Sequence, residues 1–443
     1  MTTPIYDFLC RYAKSSPIRL HMPGHKGVGG IESHDLTEVS GADSLFEADG
    51  IIRESEENAG AIFGAHTLYS TEGSSLSIRA MLHIATLYAK SEGKKPLVLA
   101  ARNVHRSFVS AAALIDFDIE WLYSSEGGYL SCRITAEEVE KKISEMTVKP
   151  TALYLTSPDY LGNIADILNI GKVCKRNGIL LLVDNAHGAY LKFTSPSLHP
   201  IDLGADMCAD SAHKTLHALT GAGYLHIAKG APALLLREAK SAMSLFASTS
   251  PSYLILESLD RLNAELNGDF SAKTSAKLCK IVEIKRALVN FGYTVCGSEP
   301  MKISLSAKAL GYTGAELSSL LYRANVSPEF ADEDFLVLMP SPDTEESELD
   351  KALGVLTSIE KREPITDIAP RLTPPERVLS PREAIFAVPE EIPVESALGR
   401  VLASVTVACP PAVPILVSGE KITEGAIEAF KYYGTKAVKV IKK

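Results

Sequence analysis

The chain has 443 residues, 46% hydrophobic and 22% charged, with a formal net charge of -9 and an isoelectric point near 5.7. That is ordinary globular material, enough for a sizeable core and roughly two or three domains, and its acidic balance argues against a phosphate-seeking nucleic-acid binder. Small molecules are the expected partners, and seven scattered cysteines (Cys10, Cys132, Cys174, Cys208, Cys279, Cys296, Cys409) with no CxxC pair predict neither a disulfide framework nor a metal site, as in a reducing cytoplasm.

In chain order, MTTPIYDFLCRYAK lacks the charged start and apolar core of a secretory leader and reads as mature protein. STEGSSLS, Ser70 to Ser77, then sets a glycine and two serines, Gly73, Ser74 and Ser75, at the start of the amphipathic pattern SSLSIRAMLHIATLYAK. Backbone N–H groups, hydroxyls and a helix dipole at such a start suit a phosphate, although plain N-capping uses the same residue types. A strand, PLVLAA, follows at Pro96 to Ala101, and just past it lies His105, a flat imidazole able to stack on a planar ring or to serve as a structural histidine.

Further apolar runs, TALYLTSP (Thr151 to Pro158), ILLLVDNA (Ile179 to Ala186) and GAGYLHIA (Gly221 to Ala228), alternate with helical patterns such as IADILNIGKVCKRNG (Ile164 to Gly178). This alternation predicts an α/β fold with a largely parallel sheet, whose ligands gather past the carboxyl ends of the strands. Asp184 follows five apolar residues, where a carboxylate is poorly solvated unless it has a cationic partner or caps a turn. In ADSAHKTLHALTGAGYLH, Lys214 lies among small residues; a partly desolvated amine has the lowered pKa that a Schiff-base lysine needs, whereas a lone lysine is more often solvated.

Near Pro251 the pattern changes to long charged helical stretches, then to a strand, helix, strand, helix segment from KISLSAK to VLTSIEK. Five prolines between Lys361 and Ala384 mark a linker into a final segment. The expected organisation is an N-terminal segment over 1–45, a large domain over 46–265, a small domain over 266–362, and a linker with C-terminal segment over 363–443. The apolar window Val401 to Gly419 is broken by Pro410, Pro411 and Pro414, so no membrane span is expected.

A lysine, an upstream aspartate, a hydroxyl-rich helix start and a stacking imidazole are the parts needed to hold pyridoxal 5'-phosphate. With these blocks in order the chain resembles the Orn/Lys/Arg decarboxylase family. RLHMPGHKG (Arg19 to Gly27) is similar to its N-terminal signature, and ADGIIRESEENAGAIFGA (Ala48 to Ala65) continues it. RNVHRS, VDNAHGAY, SAHKTLHALTGAGYLH, STSPSYLILESLD (Ser248 to Asp260) and CPPAVPILVSGEKIT (Cys409 to Thr423) follow in the family's order.

The resemblance implies a fold-type-I transferase large domain with a seven-stranded-type sheet, a smaller α+β C-terminal domain, and decarboxylation of lysine, arginine or ornithine to a polyamine-pathway amine. It also implies roles: Lys214 bonded to the cofactor, Asp184 on the pyridine nitrogen, and His105 stacked on the ring with His187 near it. Gly73, Ser74 and Ser75 would hold the phosphate with Ser211 and His213 beside it, and Lys214 or His213 would reprotonate the substrate carbon. Thr249 and Ser250 would reach the cofactor of a neighbouring chain, implying a homodimer. Several positions depart from the family pattern: Asn185 where Glu is usual, Glu72 before Gly73 where Asn is usual, Asp159 in SPDYLG, and Ala412 where Gly is typical. The chain also begins at the signature, as a short form without the N-terminal regulatory-like domain of longer members. An aminotransferase, a lyase, or a non-catalytic relative would share the fold.

Overall fold

The computed structural model describes residues 1–124, 128–405 and 411–442, so Cys409 and Pro410 of the C-terminal block lie outside the described residues. Its main sheet has seven strands: β1 (Ala65–Ser70), β2 (Leu97–Ala101), β3 (Asp118–Leu122), β4 (Ala152–Thr156), β5 (Leu180–Asp184), β6 (Met207–Asp210) and β7 (Gly223–Ala228). Their order is β1-β7-β6-β5-β4-β2-β3. β5 pairs parallel with β6 and β2 with β3, whereas β7 runs antiparallel to both β6 and β1. The expected mainly parallel α/β sheet is therefore present, with one reversed strand, β7, next to the β1 edge.

The four runs singled out from the sequence are β2, β4, β5 and β7; β1, β3 and β6 were not singled out. MCAD in β6 is only four residues and AHTLYS in β1 is half polar without strict alternation, too little apolar signal to separate a strand from a loop. The helix expected from Ile164 begins at Ile167 instead. Upstream, the N–H groups of Ile164 and Ala165 donate to the hydroxyls of Ser298 (3.2 Å) and Ser157 (3.1 Å), which draws the first three positions out of the helix.

The chain divides into two compact units. The first comprises Met1–Pro96, Thr151–Leu153 and Ile167–Ser275. Its core gathers around Phe63, at the end of helix Ile51–Phe63, whose ring lies 5.3 Å from Tyr224 and 4.5 Å from His226. Helix Gly73–Ser91 starts directly after β1 and buries a broad face of Leu76, Ile78, Met81, Leu82 and Ile84, which fixes its N-terminus relative to the strand ends.

The second unit comprises Leu97–Pro150, Tyr154–Asp166 and Ala276–Lys443. It contains a four-stranded sheet of β8 (Thr294–Cys296), β9 (Ile303–Ser306), β10 (Phe330–Ala331) and β11 (Leu336–Leu338), with helices Gly314–Arg323 and Glu346–Thr357 in the expected alternation. Thr313 and Glu316 close a capping box at the first of these helices, a start legible as T-x-x-E. A three-stranded sheet, β12 (Pro389–Pro393), β13 (Leu402–Ser404) and β14 (Ala437–Ile441), packs Leu402, Val438 and Val440 against Phe430. Among the described residues no helix is long and apolar enough to cross a membrane.

Candidate active site

In the first unit the ends of β1, β5 and β6 converge on one group of side chains. After β1 the chain turns through Gly73, whose φ of +64° favours glycine and whose N–H donates to the Gly221 carbonyl at 2.7 Å. The turn aims the start of a 19-residue helix at the β6 end. Ser74, buried, points its N–H at Ser211 Oγ (3.4 Å), and the two hydroxyls lie 2.9 Å apart. Ser75, half-buried, occupies the same first turn. This close approach is possible because residue 223 is glycine: a Cβ there would stand 2.9 Å from both Asp210 O and Gly73 C. Two hydroxyls at a helix N-terminus, with the helix dipole behind them, make a cradle for an anion.

At the end of β5, Asp184 is 2% exposed and its Oδ1 accepts from the N–H of Ala186 at 3.2 Å. Three residues on, His187 lies with its Nε2 2.9 Å from Lys214 Nζ. Lys214 stands on the short helix Ala212–Thr215 directly past β6, half-buried, so its amine is held by an imidazole rather than left in water. His213 donates from Nδ1 to the Ala222 carbonyl (2.8 Å), and burial holds its pKa below the ordinary value, a neutral ring with Nε2 as its acceptor.

Not every candidate joins this group. His105, past β2 in the second unit, N-caps helix Arg106–Ile115 by accepting the Ser107 N–H on Nδ1 at 3.1 Å. Thr249 and Ser250 are exposed in the single chain, in the loop before helix Tyr253–Leu266. Of the acids considered for a distal substrate charge, Asp43 is consumed structurally: although burial pushes its carboxyl up, the N–H groups of Asp49, Gly50, Arg53 and Ser44 hold it below the ordinary value. Asp159 is likewise buried, raised by desolvation, and bonded to the Asn163 N–H (2.8 Å) and side-chain amide (2.9 Å). Glu47 and Asp49 remain exposed.

Comparison with known proteins decides the relationship. The profile for the Orn/Lys/Arg decarboxylase major domain matches residues 3–303, and the profile for the family's C-terminal domain matches residues 369–438. An arginine decarboxylase of Halalkalibacterium halodurans is 30% identical over 95% of this chain and 91% of its own length. The chain belongs to the Orn/Lys/Arg decarboxylase family. It is an amino-acid decarboxylase by that membership. A second relative, the arginine decarboxylase of Bacillus anthracis, is also 30% identical, over 96% of this chain and 92% of its own length. In fold, the chain superposes on the Francisella novicida lysine decarboxylase LdcF with a TM-score of 0.80 at 17% identity, covering 99% of this chain and 81% of that one.

Within the decarboxylase family the departures at 72, 185 and 412 acquire physical content. Glu72 Oε1 accepts the Ser248 N–H at 2.7 Å, tying the loop of Thr249 and Ser250 to the start of the Gly73–Ser91 helix. Asn185 is fully buried and its Nδ2 donates to Asp210 Oδ1 at 2.8 Å; Asp210 was not among the residues read from the sequence. Ala412 has φ +55°, a left-handed conformation that explains why glycine is typical there, and its carbonyl accepts the Arg106 N–H at 2.8 Å, next to His105. Ala412→Gly relieves that strain and, after the extra chain entropy of glycine, is expected to stabilise the protein by about 0.5–1 kcal/mol. A urea titration would show a higher midpoint at unchanged slope; a lower midpoint would mean the alanine is not strained.

Proposed function

We propose that the protein is a cytoplasmic, homodimeric, pyridoxal-phosphate-dependent decarboxylase that converts a basic amino acid, arginine first among arginine, lysine and ornithine, to its polyamine-pathway amine. The reading rests on one juxtaposition: a half-buried lysine amine held by His187 within a few residues of a two-serine anion cradle, with a buried carboxylate at the adjoining strand end. An amine for an aldehyde, hydroxyls and N–H groups for a phosphate, and a carboxylate for a pyridine nitrogen are the complement of this cofactor. When bound it supplies the electron sink for loss of the α-carboxylate.

The chain's own residues then divide the work. Gly73, Ser74, Ser75 and Ser211 hold the phosphate, with His213 packed beside Gly73, its Cε1 3.5 Å from where a Cβ would be. Asp184 keeps the ring nitrogen protonated, a role that low exposure strengthens because the attraction acts in a medium of low dielectric. For the proton delivered to the substrate Cα, Lys214 is the better donor, since His213 is neutral and its Nδ1–H is committed to a backbone carbonyl. Thr249 and Ser250, exposed here, complete the site of a second chain.

Arginine is placed first because the relatives that match along nearly their whole length carry that name. The test is amine formation from arginine, lysine, ornithine and diaminopimelate supplied separately to cofactor-loaded protein. Arginine is expected to give the largest kcat/KM, with carbon dioxide and no keto acid. Keto acid instead of amine would make the protein an aminotransferase, and no product from any of the four would end the substrate-class reading.

A further inference from the structure

Behind the candidate site lies a buried cluster that the roles above do not use. Asp210, the last residue of β6, is 0% exposed, yet both of its carboxylate oxygens are fully occupied. Oδ1 accepts from Asn185 Nδ2 at 2.8 Å and from the Cys208 thiol at 3.3 Å; Oδ2 lies 3.0 Å from His199 Nε2 and 3.3 Å from His226 Nε2. An ionised carboxylate has about four acceptor positions, and here four donors fill them.

The tautomers are consistent. His199 Nδ1 accepts the Ile201 N–H, so Nε2 carries the proton given to Asp210. His226 Nδ1 lies 2.9 Å from Thr67 Oγ1, a hydroxyl able to donate to it, and burial keeps this histidine below its ordinary pKa. His199, Cys208 and Asp210 bring their ligand atoms within 4.8 Å of one another, a spacing a metal ion could use. A metal thiolate is not favoured, because burial and the Asp210 charge push the Cys208 thiol well up and its proton is already donated. The cluster is a hydrogen-bond network around one anion.

Its position gives it a consequence. Asn185 immediately follows Asp184, and Asp210 immediately precedes Ser211 and stands four positions before Lys214. The β5–β6 register ends at Asp184 with Ala209, and beyond it the two strands are joined by Asn185 N–H to Ala209 O (2.9 Å) and by the Asn185–Asp210 bond. Through His226 on β7 and Thr67 on β1 the same anion reaches two more adjacent strands.

We propose that Asp210 is a positioning residue: it locks the strand end carrying Asp184 to the strand end carrying Ser211 and Lys214, and so sets how tightly these residues hold pyridoxal phosphate. The proposal rests on the cofactor reading above and deepens it. Asp210→Asn is nearly isosteric but turns one acceptor oxygen into a donor, which cannot face N–H groups already pointing at it. The test loads wild type and variant with pyridoxal phosphate and follows cofactor release on dilution, together with the pH midpoint of the visible absorbance of the lysine-bound cofactor. Circular dichroism and the melting temperature of the cofactor-free proteins serve as the fold control.

Asp210→Asn is expected to release the cofactor about tenfold faster and to shift the midpoint, with a native dichroism spectrum, a loss typical of removing a supporting partner. Should that variant not fold, Asn185→Ala, which cuts one strand-to-strand bond and leaves the other three donors in place, is read in the same way and is expected to move both quantities in the same direction. Release and midpoint equal to wild type overturn the proposal while leaving the cofactor reading intact. Wild-type protein that never develops the absorbance overturns both.

Discussion

Lys214→Ala is expected to reduce kcat by about a thousandfold or more and to abolish the visible absorbance of the cofactor-loaded protein, while circular dichroism stays native. The size follows from losing two proposed functions at once, the amine that would bond the cofactor and the proton source for the substrate Cα. The fold survives because the side chain is half-buried on a four-residue helix rather than in the core. Removing its amine frees His187 Nε2, 2.9 Å away, at a stability loss of about 1 kcal/mol, small against the whole domain. Added alkylamines should restore part of the rate if the amine itself is what is missing. A variant that keeps the absorbance would show that another residue holds the cofactor.

Asp184→Asn is the second large effect, a fall in kcat of about a hundred- to a thousandfold at saturating cofactor, comparable to removing one preorganised charge-stabilising group. The substitution keeps the shape of the side chain, and an amide oxygen can still accept the Ala186 N–H that Asp184 Oδ1 accepts at 3.2 Å. What it removes is the anion proposed to keep the ring nitrogen protonated. Because Asp184 is 2% exposed, water cannot replace that charge. The expected signature is therefore a loss in kcat with little change in melting temperature. A kcat within about tenfold of wild type would mean that the carboxylate does not face the ring nitrogen.

These two variants and Asp210→Asn separate chemistry from positioning. Lys214 and Asp184 are proposed to touch the cofactor, so their loss appears in turnover. Asp210 is proposed to act through Asn185 and the strand ends, so its loss appears first in cofactor retention. The conformational strain at Ala412 belongs to a third kind of effect, carried by the backbone, and is read in stability.

Much of the fold was legible because it is written in local pattern. The runs LVLAA, ALYLT, LLLVD and GYLHIA are buried along almost their whole length and became strands β2, β4, β5 and β7. The helix after Gly73 was legible from its apolar spacing and hydroxyl start. What was not legible was pairing. Nothing in GYLHIA states that β7 runs antiparallel between β6 and β1, because strand direction is set by the connections and by which edges remain open.

The same division holds at the site. The residue pattern singled out Lys214, Asp184 and Ser74 as candidates for chemistry, and the family resemblance added Ser211. It did not show that Asp43 and Asp159 are spent on backbone N–H groups and an asparagine, because a carboxylate's partners lie several residues away and only the folded turn brings them in. Nor did it reveal Asp210, which in one dimension is merely an acid before a serine. Four donors from Asn185, Cys208, His199 and His226 surround it only when β5, β6 and β7 are laid side by side. Residue types and spacing thus determined which groups could do the chemistry, since each side chain's capacity is local. Tertiary structure decided which of them are still available to do it, since hydrogen bonds and burial depend on neighbours distant in sequence.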